Sequence, residues 1–438
     1  WQAQPSLDDN QGAILDGPEY LNFMNFEAAG SAVTYDSNSF APDSASTATS
    51  IATGYKTYSG SINVDETGTI SYETIAEKLR DQKDWEIGVI TSVNLNHATP
   101  AAFYAHQASR SSYYEIGLEL VASDFDYFAG GGLLDPTGSE GDQEDLYALA
   151  AEAGYTVART HAETEAVDAS TEKALLIDED LADSDAMAYE LDRTDDMWSL
   201  ADYVEKGIEV LDNDTGFFLM CEGGKIDWAC HANDAASTIH DTKALADAVQ
   251  VAIDFAAEHP EETLILVTGD HETGGLTIGF AGTDYDTYLD LLESQKISFA
   301  KYDSDYVAAY KENKTSFEEV LQDIEELFGL KVQGEEGDKL VLTEYELEQL
   351  RAAYEKSVNG TAASEYEQEE YVLYGTYEPL SVTITHIINN KSGISFTSYS
   401  HTGLPVAVLA EGAGAETFNG YYDNTQIYHK MADLLDIA

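Results

Sequence analysis

Five short segments of this chain carry side chains able to do chemistry. The first, Pro42-Asp43-Ser44-Ala45-Ser46-Thr47-Ala48-Thr49-Ser50-Ile51-Ala52-Thr53-Gly54, consists of small residues and hydroxyls. Such a stretch suits a helix start packed close to a ligand. A serine there faces free backbone N–H groups and the positive end of the helix dipole, which favours a phosphate anion. In the second, Asn96-His97-Ala98-Thr99-Pro100 is followed by His106 and Arg110. The spacing puts Arg110 on a helix, and a guanidinium can grip two phosphate oxygens at once, as lysine cannot; His106 is given no role. The third, Glu222-Gly223-Gly224-Lys225-Ile226-Asp227-Trp228-Ala229-Cys230-His231, directly follows an apolar run. Asp227 and His231, at i and i+4, share one helical face and can share one metal, while Glu222 offers a hard oxygen at the strand end. In the fourth, Thr268-Gly269-Asp270-His271-Glu272-Thr273-Gly274-Gly275, neighbouring Asp and His side chains can reach one ion only where a strand breaks, which the glycines permit. The fifth is Ser400-His401-Thr402-Gly403, just before another apolar run.

Alone, each segment has an ordinary explanation: a helix cap, a solvated charge, an amphipathic helix, a polar turn, a loop histidine. Together they supply the carboxylates, imidazoles, hydroxyls and guanidinium that a two-metal hydrolytic site requires.

The elements that must position them are legible as apolar runs. Glu86 to Ser92, Phe217 to Glu222 and Leu264 to His271 read as buried strands of one central sheet, each ending in small, polar or ionisable residues. Amphipathic stretches between them, Ser71 to Arg80 and Ala235 to Ala257, suit crossover helices. The expected fold is α/β, a central mostly parallel sheet flanked by helices, with ligands bound beyond the C-terminal strand ends. Residues 1–280 form the catalytic core in this reading. Residues 281–375, rich in Asp, Glu, Tyr and Lys and helical in pattern from Phe317 to Phe328, form an inserted acidic subdomain. The core resumes over 376–438, with Ser381 to Thr385, the strand Pro405 to Ala410 and a closing helix from Thr425 to Leu435.

Composition bounds the partners. The 438 residues are 43% hydrophobic and 11% aromatic, enough for a buried core. Acidic residues outnumber basic ones 82 to 21, giving a net charge of −61, which argues against nucleic acid and reads as the acidic shell of a protein from a salty environment. No run is long and apolar enough for a membrane helix, so no membrane partner is expected, and the first residues lack the pattern of a signal peptide. Cys221 and Cys230 could be bridged, bind a metal or stay reduced.

The segments PDSASTATSIATGYKT, HATPAAFYAHQASR, FFLMCEGGKIDWACH, LVTGDHETGG and SHTGLPVAVLAEG resemble those of the alkaline phosphatase family, in the family's order. The resemblance implies phosphate monoester hydrolysis with two Zn2+ and one Mg2+, a homodimer, and a periplasmic or extracellular location. By position, Ser44 matches the family's nucleophile and Arg110 its phosphate-binding arginine. Asp227, His231 and His401 match the ligands of the first zinc, Asp270 and His271 those of the second, and Thr99 and Glu222 magnesium ligands. His97 and Trp228 stand beside that third metal, where members of the family differ. The resemblance also implies an Asp in a Gly-Asp-Gly turn, bridging zinc and magnesium well upstream of the nucleophile. Asp8-Asp9 lies in no such context, so the expectation is a strand ending in Gly-Asp-Gly upstream of Trp1. Two other functions fit less of the pattern: a phosphodiesterase or nucleotide pyrophosphatase of the same metal-hydrolase superfamily, and a non-catalytic acidic protein that binds divalent ions.

Overall fold

Apolar runs that are hidden on both faces pair in parallel, because crossover helices cover each side of the sheet they build. The computed structural model describes residues 20–360 and 367–438. Its larger sheet has five strands in the order β4 (Thr156–Ala158), β5 (Ala174–Ile177), β3 (Tyr127–Gly131), β2 (Glu86–Asn94) and β6 (Phe217–Glu222), and every pairing is parallel. A second sheet has four strands in the order β13 (Gly420–Asp423), β1 (Ala28–Val33), β12 (Val406–Gly412) and β7 (Leu264–Thr268). There β1 runs parallel to β13, while β12 is antiparallel to both β1 and β7.

The central parallel sheet is therefore present, with one correction. Strands β2 and β6 are neighbours in it, but Leu264–Thr268 belongs to the second sheet, pairing with β12 from Val408↔Thr268 to Gly412↔Leu264. An apolar run announces a buried strand without announcing its partner, and here the partner comes from the far end of the chain. Two short pairs complete the set: β8 (Glu272–Thr273) with β11 (His401–Thr402), and β9 (Thr277–Ile278) with β10 (Ile394–Ser395).

Helices cover both faces. On one side lie α1 (Ser44–Thr53), α2 (Ile75–Lys83), α3 (Ala98–Ala101), α4 (Tyr113–Ala122) and α5 (Leu146–Glu152). Their buried residues form one cluster with Ile87, Val89, Phe128 and Leu175 of the first sheet and Ala28, Val408 and Ala410 of the second. One core thus spans both sheets, and each large side chain such as Phe128 contributes about 1.5–3 kcal/mol by leaving water. After the short α6 (His161–Glu165), helices α7 (Leu200–Leu211), α8 (Gly224–His231) and α9 (Ala235–Glu258) follow on the chain. Tyr203 and Leu211 of α7 and Ala248 of α9 pack with Ile90, Tyr127 and Leu176 in a separate cluster.

A third cluster lies among helices further on, where Ile324 and Phe328 meet Leu350, Tyr354, Leu380, Ile384 and Ile388. The helices Phe317–Phe328 and Thr425–Leu435 have the bounds read from the sequence. The run Ser381 to Thr385 lies within the helix Pro379–Ser392. Proline at the first turn and Gly393 in the left-handed conformation at its end frame that helix, and the buried face overrides the β preference of Val382, Thr383 and Ile384. Cys221 and Cys230 are both free thiols. No helix among the described residues is long and apolar enough to cross a membrane.

Candidate functional site

Ser44 is the first residue of α1, and the cap is supplied by the residue before it: the Asp43 carboxylate accepts from Ser46 N. Asp43 also holds Arg110, whose Nη1 donates to Oδ2 at 2.9 Å. Burial pushes the Asp43 carboxyl up, but Arg110 and backbone N–H groups outweigh it and hold the carboxyl below its usual range. The loop leading to Ser44 is tied down by buried Asp36, which accepts from Asn38 N, Ser39 N and the hydroxyls of Ser46 and Ser59.

Arg110 corrects the sequence expectation. It lies in a turn between α3 and α4, with its N–H donating to Gly60 O, and no helix begins until Tyr113. Serines 109, 111 and 112 around it favour turns over a helix interior. Its side chain is fixed between Asp43, the residue before the serine, and His97, to whose Nε2 it donates at 3.4 Å. Burial, with Arg110 adding to it, pushes the His97 imidazole down to about 4. Trp228 meets His97 edge-on with ring centres 5.9 Å apart, so these two positions form one contact.

The other predicted groups converge beside Ser44. Helix α8 presents Asp227 and His231 on one face, with His231 Nε2 3.4 Å from Asp227 Oδ1. The β8–β11 pairing brings His401 opposite Thr273, and His401 Nε2 comes within 3.5 Å of the same Asp227 oxygen. Asp270 and His271 occupy the bend between β7 and β8, where the strand breaks as their adjacency requires. His271 stacks on His401 with ring centres 3.5 Å apart. Ligand atoms of Asp227, His271 and His401 lie within 4.8 Å of one another. Asp270 Oδ2 is 3.3 Å from His271 Nε2 and accepts from Thr47 Oγ1 on the second turn of α1. Glu222, at the end of β6, accepts from Thr91 Oγ1 at 2.5 Å and from the hydroxyl of Thr99. Burial pushes its carboxyl up to about 8, and the charges of Asp270 and Asp227 push the same way.

Hydrogen bonds fix how the imidazoles face. His231 Nδ1 lies 2.6 Å from Tyr399 O and His401 Nδ1 lies 2.5 Å from Pro42 O. A carbonyl only accepts, so both Nδ1 atoms carry hydrogen, and in each neutral ring Nε2 is the atom left to present a lone pair. Those two Nε2 atoms are 3.1 Å apart. Two neutral rings would repel at that distance, so the pair shares either a proton, which Asp227 favours on His401, or a metal ion, and the acids around them make the pocket a fit for metal ions. His271 follows the same logic: Thr273 Oγ1 donates to Asp227, so it accepts from His271 Nδ1, leaving His271 Nε2 to face Ser44 Oγ at 3.0 Å.

Three hydroxyl residues, Thr91, Thr273 and Thr47, thus orient predicted ligands without having been singled out. Thr273, two residues from His271 in the same motif, was the one with a positional signal. His106, given no role, bridges Glu77 of α2 and Glu119 of α4 at 3.4 and 3.5 Å. Asp8 and Asp9 lie outside the described residues.

Comparison with known proteins converges on one family. The family model for alkaline phosphatase matches residues 2–437. Alkaline phosphatase 4 of Bacillus subtilis (strain 168) is 30% identical over 398 residues, covering 87% of this chain and 74% of that protein. Among solved structures, the cold-active alkaline phosphatase from the psychrophile Shewanella sp. superposes with a TM-score of 0.78 at 29% identity, over 96% of this chain and 92% of that one. A TAB5 alkaline phosphatase mutant with Mg bound in its M3 site superposes with a TM-score of 0.65 at 25% identity, over 99% and 94% of the two chains.

Proposed function

The chain belongs to the alkaline phosphatase family, and from that premise we propose that it hydrolyses phosphate monoesters through a phosphoserine formed on Ser44, at a centre of two zinc ions and one magnesium ion. The observation that carries this reading is the convergence of His231 Nε2 and His401 Nε2, 3.1 Å apart, on one Asp227 oxygen, with His271 stacked on His401. In this account Asp227, His231 and His401 hold the first zinc, Asp270 and His271 the second, and Glu222 and Thr99 the magnesium, with His97 and Trp228 packed beside it. Bound there, zinc would lower the pKa of the attacking hydroxyl and neutralise charge on the departing oxygen, and magnesium would add electrostatic support.

The chain's own residues supply position. Ser44 Oγ sits at the N-terminal end of α1, among backbone N–H groups that favour the phosphoryl oxygens. Arg110, held by Asp43, faces the non-reacting oxygens. Ser44 Oγ bonds to phosphorus as the bond to the alcohol oxygen breaks, and the serine proton ends on the alcohol. Water then bonds to phosphorus, the bond to Ser44 Oγ breaks, and a water proton returns to the serine as inorganic phosphate leaves. These contacts reach only the phosphoryl group, so a broad range of monoesters is expected.

By the same resemblance, the protein acts as a homodimer in the periplasm or outside the cell; residues 281–375, set apart by their Asp-, Glu-, Tyr- and Lys-rich composition, are an insertion in a core formed by the flanking segments. A chromogenic phosphomonoester tests the reading. Turnover should be lost with chelator and restored by Zn2+ with Mg2+. Chelator-insensitive turnover would contradict it, and faster cleavage of a diester than of a monoester would favour the phosphodiesterase reading, in which the arginine clamp is not expected.

A further inference from the structure

We infer that His161, Asp178 and Asp180 form a second site for a divalent metal ion, separate from the serine centre. His161 opens α6, and Asp178 and Asp180 follow the last residue of β5. Ligand atoms of the three lie within 4.8 Å of one another, the same closeness as among Asp227, His271 and His401.

The set mixes imidazole with carboxylate, and the imidazole supplies an independent observation. His161 Nε2 is 3.1 Å from Asp180 Oδ2, yet the nitrogen is buried and makes no hydrogen bond. The two atoms approach without the alignment that donation requires, as ligand atoms do when both turn toward a common ion. Their surroundings hold them in place. The His161 backbone N–H donates to Glu179 Oε2 at 2.7 Å, and the His161 ring stacks with Trp198, ring centres 6.4 Å apart. Asp178 is 4% exposed; its Oδ1 accepts from Asp180 N and its Oδ2 from Tyr203 Oη, which leaves each oxygen a further lone pair. The only ion-pair partner of Glu179 and Asp180 among the described residues is His161 itself.

One nitrogen with two carboxylates suits Zn2+ or a similar transition-metal ion better than Mg2+ or Ca2+, which take all-oxygen sets. Strand order separates this site from the serine centre: β5 and β6 stand three spacings apart in the sheet, about 14 Å. An ion here would pin α6 to the end of β5 and take no part in hydrolysis.

The test counts metal. The wild-type chain, His161→Gln and Asp180→Asn are stripped with chelator, reloaded with Zn2+ and analysed by atomic emission. Melting temperature and phosphomonoester turnover are read on the same samples. Both substitutions leave the buried Asp178 in place, so the fold is retained. Each variant should bind one equivalent fewer than the wild type, gain less in melting temperature when zinc is added, and keep wild-type turnover. Equal metal content in all three would overturn the inference, leaving an ion pair and nothing more. Metal and turnover lost together would also overturn it, because the missing ion would then be one of the serine centre. If no sample hydrolyses the substrate but each variant still lacks one equivalent, the phosphatase reading fails and this one stands.

Discussion

A carbonyl oxygen fixes how an imidazole faces, and in this protein two carbonyls, of Tyr399 and Pro42, turn His231 and His401 so that their Nε2 atoms meet. A third histidine is held by carboxylates instead. Burial pushes the His106 imidazole down, but hydrogen bonds and charge from Glu119 and Glu77 outweigh it and raise the group from its ordinary 6.5 to about 10. A pKa raised in the folded state stabilises fully below the unfolded value and loses that contribution as pH climbs through the folded one. The clamp between α2 and α4 should therefore weaken between pH 6.5 and about 10. Unfolding measured across that range should show the wild type losing its advantage over His106→Gln as pH rises; a constant difference would mean that the imidazole is not charged at neutral pH. Asp227 with His231 and Asp270 with His271 were legible as candidate ligands because their spacing suits a shared ion, whereas His401 and Thr99 were marked only by the family resemblance. Thr91, Thr273 and the two carbonyls were not legible, since hydroxyls and backbone groups carry no pattern of their own until the fold turns them.

Helix α8 must start tight against β2 for Glu222 and Asp227 to face the same pocket. Gly224 makes that possible: a Cβ there would meet Val93 methyls at 2.7 and 2.8 Å and Glu222 Cδ at 3.1 Å. Val93 is buried in β2 and has nowhere to move. Gly224→Ala should cost about 1–3 kcal/mol of stability by overpacking, and should also weaken zinc binding by shifting the helix that carries Asp227 and His231. Denaturant melts paired with zinc titration would check both, and an unchanged zinc affinity would show that the ligands do not depend on this packing. Helices were read well where apolar periodicity ran between clear caps, as from Phe317 to Phe328 with its Ser316–Glu319 capping box. Arg110 was misplaced because a short helix and a turn leave the same sparse signature, and β7 was assigned to the wrong sheet because pairing partners are a tertiary choice. Ser381 to Thr385 shows packing overriding local preference.

At the scale of the whole molecule, charge dominates. A net charge of −61 makes the compact state repel itself at low ionic strength, and salt screens contributions beyond about 10 Å at 0.1 M while sparing contacts inside the pocket. An anionic substrate meets the same long-range repulsion. We therefore predict that melting temperature and kcat/KM both rise from low salt toward molar NaCl. A flat or falling melting temperature would refute the salt-adapted reading and leave the chemistry untouched, because the chemistry rests on the residues around Ser44. That chemistry is tested most directly by trapping the intermediate. Zinc- and magnesium-loaded protein, mixed with a phosphomonoester, quenched in acid and digested, should yield one phosphorylated peptide, the one that contains Ser44. Ser44→Ala should yield none and should fall to background turnover while losing only about 1 kcal/mol of stability, the worth of one hydrogen bond. Full turnover by Ser44→Ala, or rapid wild-type turnover with phosphate on no serine or on a different one, would contradict the account.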